Sequence, residues 1–141
     1  MNKNFNNISN GRYFDYRIET INTSIENIRP YKVYTALLTQ SGTNAPVATV
    51  LENTLGISIT YSRNIAGIYI LTPSSGTFNL NKTTVHIGQQ SGDLAFPEEA
   101  GFKTIWVSAD GTTIWIKTVE GGWTNIDGLL NRTLVEIRVY P

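Results

Sequence analysis

Apolar and polar positions follow two different periods along this chain, and the change falls at Pro30. Before it, Phe14, Ile18, Ile21, Ile25 and Ile28 lie alternately four and three residues apart. That is the a/d stripe of a heptad repeat, which predicts a short helix within 12–29 that Pro30 stops. Isoleucine at both a and d favours assemblies of three or more strands, so the stripe points to an oligomerisation element on the axis of a homotrimer. Asn22, Thr23, Ser24 and Asn27 are weak helix formers, and two heptads are too short to hold together alone. A helix lying on its own domain, or a strand, therefore competes with the trimer reading.

From Tyr31 onward the period is two. Residues 31–40 read as a strand and 41–46 as a loop. Residues 47–55 fit a strand or a helical turn, and Gly56 ends them. A half-buried strand follows over 57–61, a turn begins at Arg63-Asn64, and 67–72 is the return strand. Short strands are expected at 77–80 and 83–87. The stretch 88–102 has no period and reads as a long loop of the kind that is often functional or interfacial. The chain closes on a strand over 134–140, with Val135, Ile137 and Val139 facing inward. Eight or nine short strands separated by turn signals predict an all-β domain, an antiparallel β-sandwich or jelly roll, over 31–141. Residues 1–30 precede it as a polar arm and short amphipathic helix.

The clearest element is TIWVSADGTTIWIK, residues 104–117. Folded at Asp110-Gly111 it is a hairpin in which Ala109 meets Thr112, Val107 meets Ile114, Trp106 meets Trp115 and Ile105 meets Ile116. One face carries four aliphatic side chains and belongs to a core. The other sets two tryptophans side by side. Three explanations compete for that face: an exposed platform for sugar rings, a small second core under a loop such as 88–102, or a subunit interface, where Trp is enriched. A cross-strand aromatic pair stabilises a sheet by about 0.5–1.5 kcal/mol, so no ligand is needed to explain it. Trp123, at the Gly121-Gly122 turn, is expected to be the most exposed of the three.

Composition narrows the chemistry. The chain has 141 residues and no cysteine, which excludes disulfides, thiolate zinc sites and cysteine nucleophiles. Formal net charge is zero and charged residues make up 16% of the chain, against a usual ~25%. There is no Lys/Arg run, so neither nucleic acid nor an anionic membrane is an expected partner. Met1 is followed by Asn-Lys-Asn-Phe-Asn-Asn rather than an apolar segment, so no signal peptide is expected. The polar surface is built instead from 18 Thr and 14 Asn, residues at home in strands and turns.

Candidate catalytic groups are sparse. His86 is the single histidine, and the alternation Val85-His86-Ile87 turns it away from the core. Glu98-Glu99 is a carboxylate pair in the long loop, but adjacent side chains diverge, and no Asp-x-Asp-x-Asp pattern supports calcium. No glycine-rich phosphate loop is present. No catalytic, cofactor or metal residue is assigned, and a small hydrolase is the least favoured class.

The string YKVYTALLTQSGTNAPVATVLENTLG, residues 31–56, resembles a segment of small virion-associated proteins of tailed phages that infect Bacteroidetes bacteria. ITYSRNIAGIYILTPSSGTF, residues 59–78, and the ending TLVEIRVYP, residues 133–141, resemble the same family. The resemblance covers about 31–141 and leaves 1–30 as a protein-specific attachment segment. It contributes no active-site residues. It implies a virion part assembled in the host cytoplasm: a head fibre, capsid decoration or tail-associated protein, a homotrimer that touches other virion proteins through 1–30. The alternative from a different class is a carbohydrate-binding module that uses Trp106, Trp115 or Trp123 to adhere to host surface glycans.

Overall fold

Alternation of apolar with polar residues builds nine strands, all paired antiparallel, among the residues that the computed structural model describes: 29–88, 101–120 and 123–141. They are β1 (Lys32–Thr39), β2 (Val47–Asn53), β3 (Ile59–Ile65), β4 (Ile68–Pro73), β5 (Thr83–Ile87), β6 (Phe102–Val107), β7 (Ile114–Glu120), β8 (Thr124–Asn125) and β9 (Thr133–Val139). The heptad positions Phe14, Ile18, Ile21, Ile25 and Ile28, and the helix expected to carry them, lie outside the described residues. The chain divides between Pro30 and Tyr31.

Two sheets result. The first runs in the order β2-β1-β9-β5 and the second in the order β3-β4-β7-β6, with β8 added to β7. β8 pairs with Val119 and Glu120, beyond Lys117 where pairing with β4 stops, so it continues the position of β4 along β7. The inner faces meet in one apolar cluster. Tyr34, Ala36, Leu38, Val135 and Ile137 come from the first sheet, and Tyr69, Leu71, Ile114 and Ile116 from the second, all essentially buried. Each such aliphatic side chain contributes about 1.5–3 kcal/mol on leaving water. This shared cluster makes the body sandwich-like.

Several boundaries differ from those the sequence predicts. Val47–Asn53 resolves as a strand, and it lies at the edge of the first sheet. A bulge falls between Thr35 and Ala36 in its pairing with β1, and Val47, Val50 and Leu51 are exposed along it. β3 does not turn at Arg63-Asn64 but runs on to Ile65, because a register shift between Arg63 and Ile65 accommodates one extra residue, Asn64, before the Ala66-Gly67 turn. Residues 77–80 form no strand. Phe78 instead drops into the core, and its N–H donates to the Gly111 carbonyl at 2.7 Å.

The hairpin ladder has the register that alternation predicts, with Trp106 opposite Trp115 and Ile105 opposite Ile116. It ends two residue pairs earlier than expected, at Val107 and Ile114, and Ala109 and Thr112 do not pair. The tip is a wider turn over 108–113, organised by the Asp110 carboxylate. That group accepts from Ser108 Oγ at 2.7 Å, Thr112 N at 3.0 Å and Thr112 Oγ1 at 2.8 Å.

At the other end of the second sheet, Gly67 sits in the left-handed region at φ 66°, and its carbonyl accepts from Thr118 N at 2.8 Å. A Cβ there would lie 2.5 Å from the Thr118 carbonyl oxygen and 2.6 Å from Ile126 N. Gly67→Ala therefore combines a left-handed backbone with overpacking against two main-chain atoms. It is expected to destabilise the fold by about 2–4 kcal/mol, read as a lowered urea midpoint at unchanged slope.

Candidate functional site

The outer face of the second sheet carries the aromatic residues, and strand period decides which ones. On β6, Ile105 and Val107 pack against the core, as does the cluster around Ile114 and Ile116 on β7. Phe102, Thr104 and Trp106 must then point outward, together with Trp115 and Lys117. Lys103 shares the inward side of this edge strand, where burial lowers its pKa, and an inward-pointing charge of this kind discourages edge-to-edge pairing.

Two stacked pairs result. The rings of Trp106 and Trp115 lie 6.2 Å apart between centroids, tilted by 24°. Those of Phe102 and Trp123 lie 6.4 Å apart, tilted by 16°. Trp106 is 41% exposed, Phe102 61% and Trp123 79%, so three of the four rings offer area to solvent. Trp115 is half-buried, and its Nε1–H donates to Thr113 Oγ1 at 2.9 Å, which fixes the ring. Between the stacks lie Thr104 and Lys117, opposite each other in register.

Trp123 is held against its backbone preference. It has φ 68°, unusual for a bulky residue and costing about 1–2 kcal/mol. Its N–H donates to the Glu120 carbonyl at 3.1 Å, and β8 begins at the next residue. β8 is tied down in turn by the loop that follows it. Ile126 N donates to the Thr118 carbonyl at 3.2 Å. Asp127 then gathers five donor contacts. Arg63 Nε lies 3.1 Å from both carboxylate oxygens and Arg63 Nη2 2.7 Å from Oδ2; Gly67 N lies 3.0 Å and the Tyr69 hydroxyl 2.9 Å from Oδ1. On the other flank, the Gln40 side-chain carbonyl accepts from Gly128 N, and Gln40 N donates to the Leu130 carbonyl at 2.8 Å.

The sequence pattern singled out Trp106, Trp115 and Trp123, and the structure places all three on this side of the second sheet, the first two in contact with each other. It missed Phe102, assigned to the long loop, because Phe102-Lys-Thr-Ile-Trp106 does not alternate apolar with polar and Lys103 takes an inward position. It also missed Arg63 and Asp127. No local signal marks them, since the partners lie 64 residues apart. His86 is exposed on the first sheet, opposite Glu136. Glu98 and Glu99 lie outside the described residues. Among the described residues, no group of three or more His, Asp or Glu is placed to hold a metal, and no helix is long and apolar enough to cross a membrane. No family model, curated protein or solved structure matches this chain.

The Asp127 contacts have a pH signature. Hydrogen bonds from Arg63, then from Gly67 and Tyr69, hold its pKa down to about 2. A depressed carboxylate pKa contributes stability that is complete above the unfolded value near ~3.9 and is lost as pH falls through the folded one. Urea midpoints should therefore drop between about pH 4 and pH 2, and Asp127→Asn should flatten that drop. It should not abolish it, because Asp110 is also held down to about 2 by its Ser108 and Thr112 donors. Burial and the Asp127 contact push Tyr69 up to about 12, so stability should fall again as pH rises from about 10 to 12.

A second expectation concerns Trp123. Trp123→Gly removes the left-handed strain and loses the Phe102 stack, and these two effects are of similar size and opposite sign. Its stability should stay within about 1 kcal/mol of the parent, checked by thermal unfolding.

Proposed function

We propose that this chain is a structural component of a tailed-phage virion: a head fibre, capsid decoration or tail-associated protein. In this reading, residues 1–30 attach to other virion proteins and assemble three copies, and residues 31–141 are displayed at the particle surface. The resemblance of the strings at 31–56, 59–78 and 133–141 motivates the class. One geometric observation carries the display role. The body begins and ends at the same place: Lys32 pairs with Val139, and the rings of Tyr31 and Tyr140 lie 5.3 Å apart, with the Arg138 guanidinium 4.9 Å from the Tyr31 ring centre. In this reading that end of the body is where the chain joins residues 1–30, and the Ala66-Gly67 turn and Trp123 belong to the body's opposite end.

The second reading, a carbohydrate-binding module, is favoured by a different observation, the pair of aromatic stacks on the second sheet. The two roles are compatible in one displayed protein.

Deleting residues 1–29 should leave a folded, soluble body that light scattering finds monomeric, where the full chain is trimeric. The same deletion should remove the protein from purified particles. Full occupancy of the truncated chain would sink the anchor assignment, and a trimer that survives truncation would move the subunit contact into the body.

A further inference from the structure

We infer that the aromatic face of the second sheet is a two-point binding site for an extended, neutral glycan, with one contact at Phe102–Trp123 and the other at Trp106–Trp115. The inference deepens the glycan-binding reading and rests on it.

The spacing comes from β6 itself. Phe102 and Trp106 are four residues apart on one strand, which places the stacks ~13 Å apart. A single ring cannot bridge them, and a chain of sugars can. A pyranose presents a C–H face that the electron-rich face of an aromatic ring attracts, and hydroxyls around its edge that need hydrogen-bond partners. The site alternates in the same way: aromatic pair, then Thr104 and Lys117, then aromatic pair.

Two further observations favour a ligand over a sheet that is merely stable. Trp106–Trp115 is a directly opposed cross-strand pair, whose stacking the hairpin explains by itself. Phe102–Trp123 is not. Trp123 belongs to the turn before β8, is 79% exposed and has a left-handed backbone, all of which work against stability. Strain of this kind persists where the surrounding structure imposes it and clusters at binding sites. Here the β8 pairing and the Asp127 contacts hold the strand that follows Trp123. The second observation is charge. The formal net charge of the chain is zero, and the face between the stacks carries a single cation, Lys117, so nothing selects a polyanion.

The test uses the full-length chain and neutral hexasaccharides of glucose in α-1,4 and β-1,4 linkage, of xylose, of mannose and of N-acetylglucosamine. Tryptophan emission and calorimetry report binding. At least one hexasaccharide should bind saturably, and the disaccharide of the same linkage should bind far more weakly because it cannot reach both stacks. Trp106→Ala and Trp123→Gly should each weaken the hexasaccharide roughly tenfold or more; the unfolding midpoint should stay close to the parent for Trp123→Gly and fall modestly for Trp106→Ala, which loses its stack on Trp115. Phe102→Leu is a third variant that keeps an apolar β6 position. Failure of every hexasaccharide to bind at millimolar concentration would overturn the inference, as would binding that none of the three variants changes. If the substitutions instead break up the oligomer, the face is a subunit interface and the inference falls. Particle incorporation is a separate readout, governed by residues 1–30, so the virion assignment and the glycan site can fail independently.

Discussion

Burial of Ile114 and Ile116 against the opposite sheet is the constraint on which the aromatic face depends. Side chains along a strand alternate faces, so once these two are committed to the core, Trp115 and Lys117 have nowhere to go but outward. The same commitment fixes the pairing with β6. A slip of one residue would send Trp106 into the core and Ile105 into solvent, exchanging an aliphatic contact for an indole the core has no room for. Register, and with it the meeting of the two indoles, is therefore a consequence of core packing rather than of attraction between the tryptophans. Their stacking adds about 0.5–1.5 kcal/mol to a pairing already decided.

What core packing cannot fix is the segment after β7. β8 has two residues and pairs only with the last two of β7, too little ladder to hold a turn by itself. Asp127 supplies the missing constraint. Its carboxylate takes up donors from β3, from the β3–β4 turn and from β4, and Gln40 reaches the same loop from the end of β1. Side-chain exposures of 22% for Arg63 and 18% for Asp127 put this bidentate pair between surface and interior. There the geometry is kept without the full cost of burying charge.

The difference between these two devices explains how much was legible in the sequence. The hairpin over 104–117 could be read residue by residue, because its information is local: a period of two on either side of a turn. Its tip could not, since the Asp110 side chain reorganises 108–113 and competes with the two-residue turn that Asp-Gly suggests. The length of β3 is not legible because a register shift absorbs Asn64, and Arg63-Asn64 reads as a turn when only composition is weighed. Residues 77–80 alternate like a strand, yet Phe78 is needed to fill one end of the core beside Gly111, and tertiary demand overrides local pattern. The Asp127 contacts were invisible for the plainest reason: their partners are brought together only by the completed fold.

Taken together, the rigid parts and the strained part of this surface divide their labour in a way that stability alone does not require. Trp106 and Trp115 sit where a sheet would place any pair of large outward residues, and they would persist whether or not anything bound them. Trp123 sits where the chain would rather have glycine, directly after two glycines in the sequence, and it is the most exposed large apolar side chain among the described residues. A fold selected only for stability would gain by moving the left-handed position onto a neighbouring glycine and burying or losing the indole. Keeping a large aromatic ring there costs backbone energy and exposes apolar area, and the fold then spends an arginine–aspartate pair on the loop behind it. Such an expense is understandable if the ring is meant to meet something outside the chain.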